Sequence, residues 1–255
     1  MFNLTQLLII CPLIFLAGFV DAIGGGGGLI SLPAYLIAGF PVHVAIGSNK
    51  LSAAFGSVTV TLEYLKKGFV PIKLAFFSMI FALTGSALGA EIALMFSDKI
   101  FKILMLFILP ATAFYVFRSK KLLHGRANNN SEINSRTYLI ASLIAFSTGV
   151  YDGFYGPGAG TFMILLLTGL AKLSLQNANG VAKVMNMSTN LAAITVFMLN
   201  GKADLMSGII GGIFSIAGNI TGAKLFERGG ANIVRPIILI VLTIFFARVI
   251  FDLTF

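Results

Sequence analysis

A glycine-rich break inside an apolar segment occurs twice in this chain and constrains its fold more than any other feature. The first copy reads GFVDAIGGGGGLISLP (residues 18–33), and the second reads GVYDGFYGPGAGTFMI (residues 149–164). An apolar segment with one lysine follows each copy, AIGSNKL with Lys50 and ANGVAKV with Lys183. The two lysines are 133 residues apart. This spacing predicts a duplicated chain whose two halves share one architecture.

The composition predicts that both halves lie in a lipid bilayer. Hydrophobic residues make up 57% and charged residues 11% of the chain, with a mean hydropathy of +0.95, whereas soluble domains carry about 25% charged residues. The net charge of +9 does not indicate nucleic-acid binding, because the basic residues lie mostly in short loops between apolar segments, where they orient membrane helices. The lone Cys11 cannot form an intrachain disulfide.

Ten apolar segments follow one another along the chain. They lie at residues 4–22, 29–40, 43–65, 71–95, 98–117, 137–155, 160–171, 176–199, 203–226 and 232–251. The start of the chain, MFNLTQLLII, lacks the basic residues of a cleavable signal peptide, so residues 4–22 are predicted to be a retained helix. We divide the chain into a first membrane repeat (1–117), a cytoplasmic linker (118–136) and a second membrane repeat (137–255).

The second and seventh segments are too short to cross a bilayer alone, since twelve residues of helix span about 18 Å of a ~30 Å core. If neither crosses, nine loop lysines and arginines lie on one side and six on the other. If both carry the chain across, twelve are cytoplasmic and three (Lys99, Lys102 and Lys202) are not. The positive-inside rule favours the second arrangement. It predicts an all-α integral membrane protein with two inverted repeats of about five segments each, about eight full spans plus two short glycine-broken half-helices.

The glycine runs predict real breaks in the helices, because five consecutive glycines and Pro157 are more than helix packing requires. Gly85, Gly89, Gly218 and Gly222, in contrast, are typical of close helix packing. After the breaks, Leu29 and Thr161 are predicted to begin new helices whose free N–H groups suit an anion. No phosphate-loop pattern follows the glycines. Candidate binding residues at the breaks are Gly27, Gly28, Leu29, Gly158, Gly160 and Thr161.

Lys50 and Lys183 lie about 10 Å into their apolar segments. They could snorkel to the membrane surface or pair with acidic residues, but their repetition favours a site for a small, strongly acidic anion. Neutral hydrogen bonds to that anion are expected from nearby polar side chains, namely Ser48, Asn49, Asn186, Ser188 and Asn190.

Asp21 and Asp152 are matched carboxylates, each just before a break. They could carry the proton of a coupled transporter, because a carboxyl in a low dielectric holds its proton more readily than one in water. They could equally be static partners of the lysines, or helix caps. No cluster of Cys, His and Asp predicts a metal site, no cofactor is expected, and no nucleophile–base pattern indicates an enzyme.

At these residues the chain resembles the TauE/SafE-type sulfite and organosulfonate transporters (the TSUP family), especially their YfcA-like branch. The strings that carry the resemblance are GFVDAIGGGGGLISLPA, AIGSNKL, GVYDGFYGPGAGTF and AKVMNMSTN. The resemblance covers nearly the whole chain. It implies a multi-pass permease of the inner membrane, built by duplication, that moves sulfite, sulfonates or related anions with an ion gradient.

The expected function is therefore secondary transport of a small sulfur-containing or organic anion, with the site near the midplane between the halves. An anion channel and a non-transporting accessory subunit are the alternatives. The bilayer and the anion are the expected partners, and nucleic acid is not. Which anion moves, its direction, the coupling ion and the oligomeric state, with a homodimer as one option, are left open by the sequence.

Overall fold

The computed structural model describes residues 4–123 and 133–226, and every regular element in those two ranges is an α-helix. The helices are α1 (Leu4–Gly24), α2 (Gly28–Ile37), α3 (Val42–Lys66), α4 (Ile72–Leu94), α5 (Asp98–Leu123), α6 (Ser135–Phe154), α7 (Ala159–Gly169), α8 (Leu175–Leu199) and α9 (Leu205–Phe226). They correspond to nine of the ten predicted segments. The tenth, residues 232–251, lies outside the described residues. The all-α prediction is confirmed for the described chain.

Two helices extend into the stretch predicted as a linker, residues 118–136. Helix α5 continues through residues 118–123, which contain no glycine or proline to end it. Helix α6 begins at Ser135, because the side chain of Asn134 caps it by accepting a hydrogen bond of 3.1 Å from the backbone N–H of Thr137. The polar stretch between the halves is therefore partly helical at both ends.

The described surface is that of a membrane protein. Helices α1, α4, α8 and α9 are each long and apolar enough to cross a bilayer. Large apolar side chains point outward along the bundle, among them Ile72, Phe107 and Leu139, with 71%, 71% and 63% of their surface exposed. Water would disfavour so much exposed apolar surface, whereas lipid tails accept it. Helices α2 and α7 have only 10 and 11 residues and do not span a bilayer by themselves.

The two halves pack through matched pairs of helices. Helix α1 packs on α9 as α6 packs on α4, and α3 packs on α9 as α8 packs on α4. Helices α3 and α8 also contact each other, and both bury polar side chains along their length. The central position of α3 and α8 brings their polar faces to the contact between the halves.

Glycines allow these helices to approach closely, as predicted for the matched GxxxG-like pairs. A Cβ at Gly85 would lie 2.3 Å from the carbonyl oxygen of Phe146, and one at Gly218 would lie 2.1 Å from that of Phe15. Real Cβ atoms do not approach oxygen so closely, so only glycine fits at these contacts. The packing role predicted for Gly85, Gly89, Gly218 and Gly222 is confirmed.

Candidate functional site

The two predicted helix breaks are present and touch each other. Helix α1 ends at Gly24 and α2 begins at Gly28, while α6 ends at Phe154 and α7 begins at Ala159. The new helices thus begin one residue before Leu29 and two residues before Thr161. Both breaks contain glycines with positive φ, such as Gly25 (+64°) and Gly156 (+98°), which other residues adopt only with strain.

The crossing of the two breaks is tight. A Cβ at Gly25 would lie 2.5 Å from the backbone nitrogen of Thr161. The hydroxyl of Thr161 donates to the carbonyl oxygens of Gly24 and Gly25, at 3.0 and 2.9 Å. Thr161 therefore ties the first break to the start of α7, and its hydroxyl is occupied in doing so.

Five glycine N–H groups at the crossing have no hydrogen-bond partner within residues 4–123 and 133–226. They belong to Gly26, Gly27, Gly28, Gly158 and Gly160, and all five glycines line one cavity. The N–H group of Leu29 was predicted to be free, but it donates to the carbonyl of Gly26 at 3.0 Å. Unpaired N–H groups at helix N-termini carry partial positive charge and bind anions.

Both buried lysines form ion pairs, and each pair joins the two halves. The Nζ atom of Lys50 lies 2.8 Å from Oδ1 of Asp152, and Nζ of Lys183 lies 3.1 Å from Oδ2 of Asp21. The side chains of Lys50, Lys183 and Asp152 are at most 4% exposed, and that of Asp21 is 17% exposed. Of the alternatives left open by the sequence, pairing between the lysines and the aspartates is therefore present in the structure.

The two ion pairs differ in what else they contact. Lys183 also donates to the backbone carbonyl of Asp21 and does not line the cavity. Lys50 and Asp152 both line it. The second carboxylate oxygen of Asp152, Oδ2, is buried and accepts no hydrogen bond from any described residue. The Lys50–Asp152 pair is thus accessible from the cavity, with one free acceptor.

The cavity lies where α1, α2, α3, α6, α7, α8 and α9 meet. Ten of the predicted site residues line it, namely Asp21, Gly27, Gly28, Asn49, Lys50, Asp152, Gly158, Gly160, Asn186 and Asn190. Ser48, Leu29, Thr161 and Lys183 do not. The Ser48 hydroxyl instead accepts a hydrogen bond of 2.9 Å from the backbone N–H of Asp204, and Leu29 is fully buried. The hydroxyl of Ser188 donates to the carbonyl of Val184 in its own helix.

Sequence reasoning missed four polar residues of the cavity wall, Ser31, Ser52, Ser215 and Asn219. Asn219 lies within GNITGA, where only the glycines had been considered. Its matched residue 133 positions earlier is Ser86. Polar residues at matched places in two apolar helices are a usable signal, since they are costly in a membrane.

The chain is similar to known membrane transporters over most of its length. The family described as "Sulfite exporter TauE/SafE" matches residues 10–249. A probable membrane transporter protein of Haemophilus influenzae is 36% identical over 93% of this chain and 92% of its own length. Probable membrane transporter protein ORF9 of a Sinorhizobium species is 32% identical over 99% and 95%. Probable membrane transporter protein YfcA of Escherichia coli K12 is 30% identical over 93% and 87%. No solved structure matches the chain.

Proposed function

This chain belongs to the TauE/SafE family of membrane transporters, and we propose that it is a secondary transporter of a small sulfur-containing or organic anion. Membership of the family, with its likeness to the YfcA-like branch, confirms the resemblance read from the sequence. The inner membrane is the proposed location. The substrate class and the coupling of transport to an ion gradient are also parts of the proposal.

The cavity at the crossing of the two breaks is the observation that carries the proposal. One lysine ammonium and five unpaired glycine N–H groups line it together. Asn186 and Asn190 add amide groups from α8. Charged donors and helix N-termini bind sulfite, sulfonate and carboxylate oxygens in the same way. These groups therefore favour a bound anion, but they do not distinguish a sulfonate from a carboxylate.

The charge balance of the site supports coupling to a proton. Lys50 and Lys183 balance Asp21 and Asp152, so a bound anion would add one uncompensated negative charge in a low dielectric. One proton on an aspartate restores the balance. Asp152 is the better acceptor, because its Oδ2 atom is unpaired and its side chain lines the cavity. Asp21 is the second candidate. We therefore infer that one proton moves with each negative charge.

The proposed membrane arrangement has two inverted repeats, about eight full spans and the two short helices α2 and α7. The matched packing of α1 on α9 and of α6 on α4 supports it, together with the twelve-to-three distribution of basic loop residues. Movement of one half against the other would then open the cavity to each side in turn. Both termini would face outward and the linker would be cytoplasmic. Reporter fusions at residue 125 and at the C-terminus test this, and a cytoplasmic signal from both would exclude it.

Flux in liposomes tests the transport proposal itself. The purified protein should take up sulfite, a sulfonate or a small carboxylate, and an inward proton gradient should accelerate that uptake. A Lys50→Met variant should lose it, while Lys66→Met, whose lysine side chain is 74% exposed, should not. Anion flux that ignores the proton gradient and dissipates any anion gradient would identify a channel. No flux for any of these acids would contradict the proposal.

A further inference from the structure

Asn219 lines the cavity with an amide whose acceptor oxygen has no described partner. Its Nδ2 atom donates to the backbone carbonyl of Ser215 at 2.9 Å. A carbonyl oxygen can only accept, so this bond determines which end of the amide is nitrogen. The Oδ1 atom is then the free end. It is buried and has no hydrogen-bond partner among the described residues, and Asn219 is 2% exposed and lines the cavity.

Two glycines on neighbouring helices make room for this side chain. A Cβ at Gly18 on α1 would lie 2.8 Å from Nδ2 of Asn219, and a Cβ at Gly56 on α3 would lie 2.3 Å from it. Because neither residue has a side chain, the amide sits between α1, α3 and α9. The polar group is therefore held in place by its surroundings and does not rotate away from the cavity.

The amide lies apart from the charged end of the site. Asn219 contacts the position of Gly56, which is six residues after Lys50 on α3, a rise of about 9 Å along the helix. Lys50 therefore supplies a charged donor at one end of the cavity. Asn219 supplies an acceptor towards the other. A bare oxoanion has only acceptor oxygens, so it satisfies the first end and is repelled by the second.

We propose that the transported anion carries, besides its acidic group, a hydroxyl or amine group that donates a hydrogen bond to Oδ1 of Asn219. This inference rests on the proposed function, since it assigns the second half of the same substrate. Asn49 lines the same cavity, and its buried Oδ1 also has no described partner. The wall therefore offers acceptors that a simple oxoanion, which donates no hydrogen bond, cannot use.

Matched ligands separate the two ends of the site. The probes are 2-hydroxyethanesulfonate and propane-1-sulfonate, which differ by a hydroxyl in place of a methyl group, and the carboxylate pair glycolate and propionate. Their dissociation constants are measured by calorimetry on purified protein in nanodiscs. We expect the hydroxylated member of at least one pair to bind roughly five- to a hundredfold more tightly, because the apolar member leaves a buried acceptor unpaired.

Three variants assign that preference to Asn219. Asn219→Leu should reduce the preference to about one while changing the affinity for the apolar probe little. Asn219→Ser, which is too short to reach the ligand, should do the same and serves if the leucine variant does not fold. Asn200→Leu is the matched control, because Asn200 is exposed and its side-chain amide donates to the carbonyl of Val196 in its own helix, and it should keep the preference.

The outcomes distinguish this inference from the proposed function. Equal binding of both members of each pair would mean that water satisfies Asn219. This result would overturn the proposed donor group on the substrate, but it would not contradict anion transport. A preference that survives in Asn219→Leu and Asn219→Ser would overturn the assignment to Asn219. Binding of none of the four acids, by a protein that also transports none of them, would overturn the proposed function as well.

Discussion

The two lysine–aspartate pairs hold matched places in the two halves, yet they lie in different surroundings. Lys50 and Asp152 line the cavity, and one oxygen of Asp152 has no described partner. Lys183 bonds both the carboxylate and the backbone carbonyl of Asp21, and it lies outside the cavity wall. The two halves thus contain similar pairs, of which one is suited to meet a ligand and the other to hold the end of α1.

A second pair of matched positions shows how single side chains make the two halves differ at the cavity. Asn219 in the second half corresponds to Ser86 in the first, and Gly56 on α3 corresponds to Thr189 on α8. The hydroxyl of Ser86 donates to the carbonyl of Thr189 at 2.7 Å, and neither residue lines the cavity. Where one half has a glycine and a free amide, the other has a closed hydrogen bond. The site is therefore asymmetric although the helices around it are paired.

The largest effect is expected at the aspartates. Asp152→Asn should abolish uptake driven by a proton gradient and leave anion binding nearly unchanged, because the amide cannot take up the coupled proton. Asp21→Asn should instead lower the yield of folded protein, since Asp21 is held by Lys183. Uptake under a pH gradient and equilibrium binding are measured side by side. Proton-driven uptake that persists in Asp152→Asn would exclude Asp152 as the coupling group.

The next effect concerns stability. Lys183→Met removes the partner of a mostly buried carboxylate, a change that typically costs about 3–5 kcal/mol. We expect a larger loss of thermal stability than for Lys50→Met, because Lys183 also bonds the backbone of Asp21. The double variant Lys183→Met/Asp21→Asn should recover much of the loss. Equal melting temperatures for the two single variants would remove the structural distinction between the pairs.

Anion affinity should fall roughly ten- to a hundredfold in Lys50→Ala, since a charge-assisted hydrogen bond contributes about 1.5–3 kcal/mol. From the sequence alone, the same loss is predicted for Lys183→Ala. The structure sharpens this prediction, because only Lys50 lines the cavity. Lys66→Ala, at an exposed ion pair of 3.7 Å with Glu63, is the control. Normal affinity in both buried-lysine variants would argue against an anion at this site.

The smallest expected change in stability concerns the contact between Gly56 and Asn219. Gly56→Ala puts a methyl group 2.3 Å from Nδ2 of Asn219, which should push the amide out of its position and cost about 1 kcal/mol of stability. The hydroxyl preference of the site should fall with it. Thr189→Ala, at the matched residue of α8, removes only a side chain that bonds within its own helix and should keep the preference. If Thr189→Ala lost the hydroxyl preference and Gly56→Ala kept it, the group that accepts the substrate hydroxyl would lie in the first half instead.

The two helix breaks could be read from the sequence because their cause is local. The glycines with positive φ act within a few residues of their own position. Asn134 at the cap of α6 also acts locally, but it was not predicted. The close-packing glycines were also recognisable, since their spacing repeats in both halves. Side-chain contacts were harder to infer. Ser48 and Thr161 have the right residue types and neighbours, yet their hydroxyls bond the backbone of distant segments.

The sequence by itself determined the medium, the helical class, the matched motifs of the two halves, the two breaks and the family, because hydropathy, glycine runs and repeated motifs need no knowledge of neighbouring helices. Only the tertiary structure decided that each lysine pairs with the aspartate of the other half, that Lys50 and not Lys183 meets the cavity, and that Asn219 completes its wall. These features depend on how each helix is rotated against its neighbours. That rotation follows from close packing at glycines such as Gly18 and Gly56, whose contacts lie far away in the chain.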